Sequence, residues 1–277
     1  MYLTYSEKRH GFTLIELLVV IAIMAAVAAL TFGAAQRVIS AQKYSATETT
    51  IRKLNRLLIQ ATKRVVDDAR DEAIPDWVRK EAGNNPDRAR VLWVKYRVKQ
   101  EFPENFSEAL NPVPLGPDPA YQTYLTGVSI TNSADESSAC LLMALTAKNR
   151  RGGEANADLL NSIESFIVDA NGVKAVFDAW GNPLYFFRWP YGNDDLDRSY
   201  TATGPSRDPL DPTGSLQAPN WNRNAFTGRC HPIVNRYFVP VIVSAGPDGK
   251  LGLAPGSMAV TDPIAAADNL YSYQLLE

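Results

Sequence analysis

The chain has 277 residues, of which 45% are hydrophobic and 21% are charged, with 28 Lys and Arg against 30 Asp and Glu. The near-neutral charge argues against a nucleic-acid binder with a broad basic surface, and the globular composition argues against a disordered, collagen-like or multi-span membrane protein. Two cysteines and two histidines are too few for a disulfide-dense scaffold or a four-thiolate zinc site, and they leave little for acid–base or metal catalysis.

Proline and glycine are distributed very unevenly along the chain. All 18 prolines lie at Pro75 or later, and only Gly11 and Gly33 precede that point among the glycines. Because these residues end helices and form turns, their scarcity predicts one very long N-terminal helix followed by a head rich in turns. We therefore expect a stalk helix over residues 12–74, a helical and extended connecting region over 75–132, and an α+β head over 133–277.

Residues 12–35 form an apolar segment with an unbroken apolar run from Leu17 to Leu30. Helical residues over this length rise about 36 Å, enough to cross a hydrocarbon core of about 30 Å. The segment therefore predicts a single membrane-spanning helix. A buried core helix is the alternative, but such a helix rarely needs so continuous an apolar run.

Glu16 is the one carboxylate in this segment, four residues after Phe12 and on the same helix face. A carboxylate in a membrane helix costs about 2.5–3.5 kcal/mol, so it normally has a partner or a function. Cleavage between Gly11 and Phe12 would create an amine at Phe12, which Glu16 of a neighbouring subunit could neutralise. The alternative is that Glu16 only extends toward the membrane edge.

The run Lys8-Arg9-His10-Gly11, followed by the apolar run from Phe12 to Val20, resembles the N-terminus of type IV pilins and pseudopilins. The resemblance implies that prepilin peptidase removes residues 1–11 by cutting after Gly11, that it methylates Phe12, and that Glu16 assists filament assembly. A conventional signal peptide cut near Ala26-Val27-Ala28 is the alternative, but it would have Glu16 inside its apolar core.

The same resemblance implies a location and a set of partners. The chain is expected to be a single-pass protein of the bacterial inner membrane, with its head outside the cytoplasm, and later part of a filament in the cell envelope. The implied partners are copies of the chain itself, other pseudopilins, the prepilin peptidase, an inner-membrane assembly platform, and membrane lipid around residues 12–35. No nucleic acid is expected as a partner.

Beyond residue 35 the helix is predicted to continue, because apolar residues recur at three- and four-residue spacing as far as Ala69. Seven Lys and Arg residues and one acid, Glu48, lie between Gln36 and Val66. This basic stretch is either a contact surface for acidic surfaces of adjacent subunits or a solvated helix face. The helix should end before Ile74-Pro75, since a residue before proline avoids the helical region.

Further elements are predicted along the rest of the chain. Apolar spacing predicts helices over 88–101 and 134–148, separated by an extended, proline-rich connection over 111–119. Alternating and aromatic runs predict strands on both sides of a turn within 177–187, and further strands at 236–244 and 270–275. Pro240 implies an edge position or a bulge. A small antiparallel sheet packed on the long helix gives an α+β, pilin-like fold.

Two stretches of the head extend the resemblance to one group of pseudopilins. The run from Asp178 to Pro183 resembles the Asp-x-Trp-Gly-Asn-Pro signature of major pseudopilins of type II secretion systems, and the run from Ser244 to Gly249 resembles their Ser-x-Gly-x-Asp-Gly stretch. The resemblance implies a calcium ion bound after the second motif, where the carboxylates are those of Asp248, Asp262 and Asp268. Ordinary turn aspartates are the alternative.

A long insert, residues 190–232, separates the two motifs. It is too long for a plain connection, so it is either a partner- or cation-binding element or a surface elaboration. Cys140 and Cys230 predict one disulfide in an exported chain, or else two buried thiols. No phosphate-binding, dinucleotide-binding or zinc-protease motif occurs, which favours a protein that is not an enzyme.

The resemblance as a whole predicts a pseudopilin-type structural subunit of a type II secretion-like filament that assists protein export. Two other hypotheses stay open. One is a major or minor pilin of a type IV pilus, acting in adhesion or DNA uptake. The other is a membrane-anchored, exported cation- or carbohydrate-binding protein whose head is the active part.

Overall fold

The computed structural model describes residues 14–128, 132–146, 161–170, 172–193, 210–211, 213–218, 221–230, 239–254 and 256–275. Gly11 and Phe12 lie outside the described residues, as do residues 194–209, 212, 219–220 and 231–232 of the predicted insert. The chain divides into two compact units, Met1–Ser45 and Ala46–Glu277, so a unit boundary falls inside the long N-terminal helix.

Helix α1 runs from Leu14 to Asp71, 58 residues without a proline. Every residue from Leu14 to Gln42 is exposed in the structure. Among the described residues, α1 is the one helix long and apolar enough to cross a membrane, with a mean hydropathy of 2.7 over its most apolar window and no buried residue there. The helix ends before Ile74-Pro75, as the sequence predicts.

The C-terminal half of α1 is the centre of the head. Its buried apolar positions are those of the predicted stripe, apart from Val65, which is half-buried: Ile51, Leu54, Leu57, Leu58, Ala61, Val66 and Ala69. They pack with residues of the other helices and strands, including Leu92, Leu141, Phe186 and Ile242. Two of the basic residues are used within the head, since Arg52 donates to the Leu275 carbonyl and Lys53 donates to the Ser162 carbonyl at 3.2 Å.

Six further helices follow among the described residues: α2 (Asp76–Glu81), α3 (Pro86–Glu101), α4 (Phe106–Leu110), α5 (Pro119–Leu125), α6 (Ser133–Thr146) and α7 (Arg223–Arg229). The two longest, α3 and α6, match the predicted helices to within two residues at each described end. Asparagine side chains cap the N-termini of two of them: Asn85 accepts from the Arg88 N–H in α3, and Asn105 accepts from the Glu108 N–H in α4.

The strands form two small antiparallel sheets. Strands β1 (Ile167–Ala170) and β2 (Val173–Val176) form a hairpin, and β3 (Tyr185–Phe187), β4 (Val241–Ser244) and β5 (Leu270–Tyr271) form a second sheet in the order β3-β4-β5. A long helix packed with small antiparallel sheets confirms the predicted α+β class. The position predicted from Pro240 is wrong, because β4 is the central strand. Pro240 directly precedes it and removes no hydrogen bond from the ladder.

Of the two predicted states of the cysteines, a disulfide or two buried thiols, the structure shows the second, because Cys140 and Cys230 are both buried and free. They lie in different clusters of the core: Cys140, on α6, packs with residues of α4, α5 and β2, and Cys230 packs in the cluster that contains the buried residues of α1 and α3. Burial raises the pKa of the Cys230 thiol to about 12, although Arg188, Lys99 and Lys95 act in the opposite direction. Burial also raises the pKa of Cys140 well above its usual value.

We expect both thiols to be unreactive in the native protein, since a buried thiol with a raised pKa supplies almost no thiolate at neutral pH. Titration with a disulfide-exchange reagent should find no reactive thiol in native protein and both cysteines in denaturant without reductant. The variant Cys230→Ser should lower the denatured count by one. A denatured count of zero that rises only after reduction would show that the two cysteines pair.

Candidate processing and assembly site

Of the predicted processing and assembly residues, the structure describes Glu16, which lies at the start of α1. Glu16 is exposed and lies in the first helical turn, where a negative charge interacts favourably with the helix dipole. Gly11 and Phe12, the two residues of the predicted cut, lie outside the described residues. The part of α1 that follows Glu16 exposes a continuous apolar surface, with Leu18, Ile21 and Met24 each more than half exposed. Such a surface requires lipid or the helices of other subunits around it.

The two motifs of the head meet in space. One carboxylate oxygen of Asp178 accepts from the backbone N–H groups of Trp180 and Asn182, each at 2.9 Å, and the other accepts from the Ser244 hydroxyl at 2.7 Å. The Asn182 side-chain amide donates to the Gly246 carbonyl at 2.9 Å. Asp178 and Ser244 are buried. The motif at 178–183 is therefore a tight turn that holds the start of the loop after β4.

The glycines of the second motif are required by close contacts. Gly246 has φ 68°, and a Cβ there would lie 2.4 Å from the Asp268 carbonyl oxygen. Gly249 has φ 69°, and a Cβ there would lie 2.9 Å from Oδ1 of Asn182. Only glycine adopts this conformation easily and also leaves room for both neighbours. The two glycines thus allow the loop after β4 to pack closely against the first motif and against the chain just before β5.

The three aspartates of the predicted calcium site have different surroundings. Asp262 is exposed and caps its own turn, accepting from the N–H groups of Ile264 and Ala265. Asp248 and Asp268 are neighbours, since the Asp248 N–H donates to Oδ2 of Asp268 at 3.4 Å. Oδ1 of Asp268 is buried with no hydrogen-bond partner in the part of the chain that the structure describes. No group of three acidic, histidine or cysteine side chains suited to a metal occurs among the described residues.

The head contains a buried charged cluster that sequence reasoning missed. Arg188 follows β3 and makes two parallel hydrogen bonds to Glu108, at 2.8 and 2.9 Å, and a third to the Phe102 carbonyl at 2.7 Å. Its backbone N–H donates to Glu104 at 2.6 Å, and Lys99 lies 3.3 Å from Glu108. The cluster thus joins α3 and α4 of the connecting region to the β3-β4-β5 sheet.

The pKa values of this cluster reflect burial and pairing together. Burial would raise the pKa of Glu108, but the charge and hydrogen bonds of Arg188, with Lys99, more than offset it and the pKa lies below its usual value. Burial raises the pKa of Glu104, and Arg188 offsets this only in part. Arg188 keeps its charge, because the two carboxylates raise its pKa despite complete burial. The partners are about eighty residues apart in sequence, so no local pattern reveals them.

Residues 7–32 match the family model described as the prokaryotic N-terminal methylation motif. No curated protein and no solved structure matches the chain at a significant level. The matched residues include Gly11, Phe12, Glu16 and most of the apolar segment. The motif and the apolar helix together indicate a single-pass, membrane-anchored protein. More particularly, the chain carries a type IV pilin-like signal, which marks it as a substrate of prepilin peptidase and supports the pilin superfamily.

Proposed function

We propose that the chain is a pseudopilin-type structural subunit of a type II secretion-like filament, cut between Gly11 and Phe12 and extracted from the inner membrane during assembly. The N-terminal methylation motif, joined to an exposed apolar helix, is the observation that carries the proposal. Subunits that leave lipid must replace lipid contacts with contacts between helices, and the apolar surface of α1 suits both environments. Its partners are copies of itself, other pseudopilins and the assembly platform.

The head motifs favour a pseudopilin over a surface pilin. The residues that resemble the two signatures of major pseudopilins are joined by two hydrogen bonds: the Ser244 hydroxyl donates to the Asp178 carboxylate, and the Asn182 amide donates to the Gly246 carbonyl. Deletion of the gene in the native host should then abolish the release of exported proteins into the medium. Loss of surface filaments, adhesion or DNA uptake with normal secretion would favour the alternative, a type IV pilus pilin.

Processing and assembly can be separated by variants in the first 33 residues. We expect the mature protein from the native host to begin at N-methylated Phe12, as measured by mass spectrometry. Gly11→Asp should remain uncut, and Glu16→Gln should be cut and membrane-bound but should lower the amount of filament by about tenfold or more, because the Phe12 amine loses its charged partner.

Two matched variants serve as controls for this experiment. Gly33→Ala changes a helical glycine that has open space around it and should be processed and assembled normally. Glu48→Gln removes the next acid of the same helix and should assemble. A mature chain that begins near Ala29, or one that keeps Met1, would contradict the proposal, as would normal assembly of Glu16→Gln.

We also propose that calcium binds the head through Asp248 and Asp268, without Asp262. The support is the unpartnered, buried Oδ1 of Asp268, which lies beside Asp248. Asp248 and Asp262 each accept from backbone N–H groups of their own turns, but among the described residues only Asp248 is joined to Asp268 by a hydrogen bond. Calcium takes six to eight oxygen ligands, so backbone carbonyls and water would complete such a site. Its chemical contribution would be to neutralise these carboxylates and fix the loop after β4.

We expect millimolar calcium to raise the Tm of the head by about 3–8 °C relative to chelator-treated protein, because a ligand that binds only the folded state stabilises it. Asp268→Asn should abolish the shift, and Asp262→Asn should retain it as the matched control. Tryptophan fluorescence reports the head, since all five tryptophans lie between Trp77 and Trp221. An unchanged Tm in the unsubstituted protein would refute the calcium site.

A further inference from the structure

A cleft of about 420 Å³ opens on the head between α2 and the start of α7. Its volume lies in the range of roughly 300–1,000 Å³ that is typical of small-molecule sites. Most of its lining comes from two short stretches of chain, with Trp77, Lys80 and Glu81 on one side and Trp221, Asn222 and Arg229 on the other. None of these residues takes part in the paired motifs or in the N-terminal signal.

The two half-buried indoles of the cleft rest on a connected aromatic floor. Trp77 packs on Tyr96, with ring centroids 5.3 Å apart, and Tyr96 meets Phe226 edge-on at 5.5 Å. Phe226 in turn lies 5.9 Å from Trp221. Tyr96 and Phe226 are fully buried. Because the rings of the floor cannot move independently, both indoles are held in place before any ligand arrives, which lowers the entropic cost of binding.

A buried arginine, Arg88, joins the side of the cleft that carries Trp221 to the side that carries Trp77. The guanidinium of Arg88 lies 5.2 Å from the centroid of the Trp221 ring. It donates to the Ser215 carbonyl at 2.9 Å and to the Ala82 carbonyl at 2.8 Å. Arg88 thus ties the described part of the insert, which carries Ser215 and Trp221, to the chain that follows α2. At this place the described part of the insert is packed against the head.

The cleft is built by the connecting region and the insert. Trp77 and α2 belong to the connecting region, and Trp221 and α7 belong to the insert between the head motifs. A filament subunit needs neither the indoles nor the cleft for its processing signal, its apolar helix or its paired motifs. Half-exposed tryptophans on a rigid floor instead are typical of ligand sites.

The charges around the cleft define the chemistry of its ligand. Lys80 and Arg229 are exposed, and neither side chain forms an ion pair within the described residues. Glu81 accepts from the Tyr96 hydroxyl at 3.0 Å. Asn222 uses its oxygen to accept from the Ala225 N–H, which leaves its amide hydrogens as donors. The groups at hand are therefore mainly donors and cations, suited to a ligand rich in acceptors and negative charge.

We propose that this cleft binds an anionic saccharide. Sugar rings stack their C–H faces on the indoles of Trp77 and Trp221, and the acidic group of the saccharide faces Lys80 and Arg229. A pyranose ring has an apolar C–H face and hydroxyl groups around its edge, so it matches an aromatic floor surrounded by donors better than a flexible acidic peptide does. This binding goes beyond the proposed filament function and does not depend on it.

The test uses the full chain in a sugar-free detergent and two acidic probes, trigalacturonate and a sulfated heparin disaccharide, with maltotriose as the neutral control. Calorimetry should show that at least one acidic probe binds with a Kd of roughly 0.1–1 mM, weakened by added salt, while maltotriose binds much more weakly. The double variant Lys80→Glu/Arg229→Glu should weaken binding by about tenfold or more. Trp221→Ala should abolish it.

Lys174→Glu is the matched control, since it reverses an exposed charge on β2 outside the cleft and should leave the Kd unchanged. The charge variants change only exposed side chains, so their folding keeps the test valid even if Trp221→Ala unfolds. Failure of both acidic probes to bind, or an unchanged Kd in the double variant, would overturn the proposal. So would preferential binding of a tri-glutamate peptide. The charge variants should assemble normally, so this result is independent of the filament assay.

Discussion

Replacing Arg188 by methionine is expected to lower the free energy of unfolding of the head by about 3–5 kcal/mol, because removing one partner of a buried ion pair leaves the other charge unpaired. Arg188 is only 3% exposed, and its guanidinium pairs with Glu108 and lies near Glu104. The variant leaves Glu104 buried without a cation and leaves Glu108 with only Lys99 beside it. Denaturant unfolding of the full chain in detergent, followed by tryptophan fluorescence, measures the change.

The pH dependence of this loss has a defined sign. Glu108 has a lowered pKa in the folded protein, so its stabilising contribution is present above the usual value of 4.5 and is lost as the pH falls through the lowered pKa. Glu104 has a raised pKa and the opposite dependence. Without Arg188 both carboxylates are expected to bind protons more readily. The difference between Arg188→Met and the unsubstituted protein should therefore be larger at pH 7 than below pH 4.5.

Arg79→Met is the matched control, because Arg79 pairs with Asp76 at 3.7 Å on the surface, with both side chains more than half exposed. Such a pair contributes about 0–1 kcal/mol, so the control should change stability little. Adding Glu104→Gln and Glu108→Gln to Arg188→Met removes the unpaired charges and should recover part of the loss. Equal effects of Arg188→Met and Arg79→Met would show that the buried cluster does not hold the connecting region.

The elements that the sequence predicted well are those with a local cause. The length of α1 follows from the absence of proline before Pro75, and its buried face follows from the apolar spacing after Ile51. The turn after β2 and the start of β3 follow from Gly181 and Pro183. The short helices α2, α4, α5 and α7 were not predicted, since five to seven residues carry no readable period and their boundaries depend on caps and tertiary packing.

The features that sequence reasoning missed depend on contacts between distant parts of the chain. Arg188 and Glu108 are 80 residues apart, and nothing near either one indicates the other. Cys140 and Cys230 could be counted, but only the packing of their separate clusters shows that they remain thiols. Trp77 and Trp221 are 144 residues apart in the sequence, and the floor of Tyr96 and Phe226 that joins them is formed by tertiary packing.

The paired motifs lead to the second large effect, a loss of about 2–4 kcal/mol in Asp178→Ala. Each motif was recognised in the sequence, but their contact was not, since Asp178 and Ser244 are 66 residues apart. Removing the carboxylate leaves the buried Ser244 hydroxyl without its acceptor, which costs about 1–3 kcal/mol, and it also leaves the half-buried N–H groups of Trp180 and Asn182 without theirs, at a smaller cost because water reaches them. Denaturant unfolding followed by tryptophan fluorescence again measures it.

Asp178→Asn is expected to lose less, because the amide keeps one acceptor oxygen for the turn, and the Ser244 hydroxyl can accept from its NH₂ group. Asp169→Ala is the matched control: Asp169 also accepts from a backbone N–H, that of Gly172 at 2.8 Å, but in an exposed turn where water can replace it. If Asp178→Ala and Asp169→Ala lose the same stability, the two motifs meet without supporting each other. A large difference restricted to Asp178 would mean that the turn at 178–183 holds the loop after β4, and that any ion in that loop acts on a frame already fixed by protein groups.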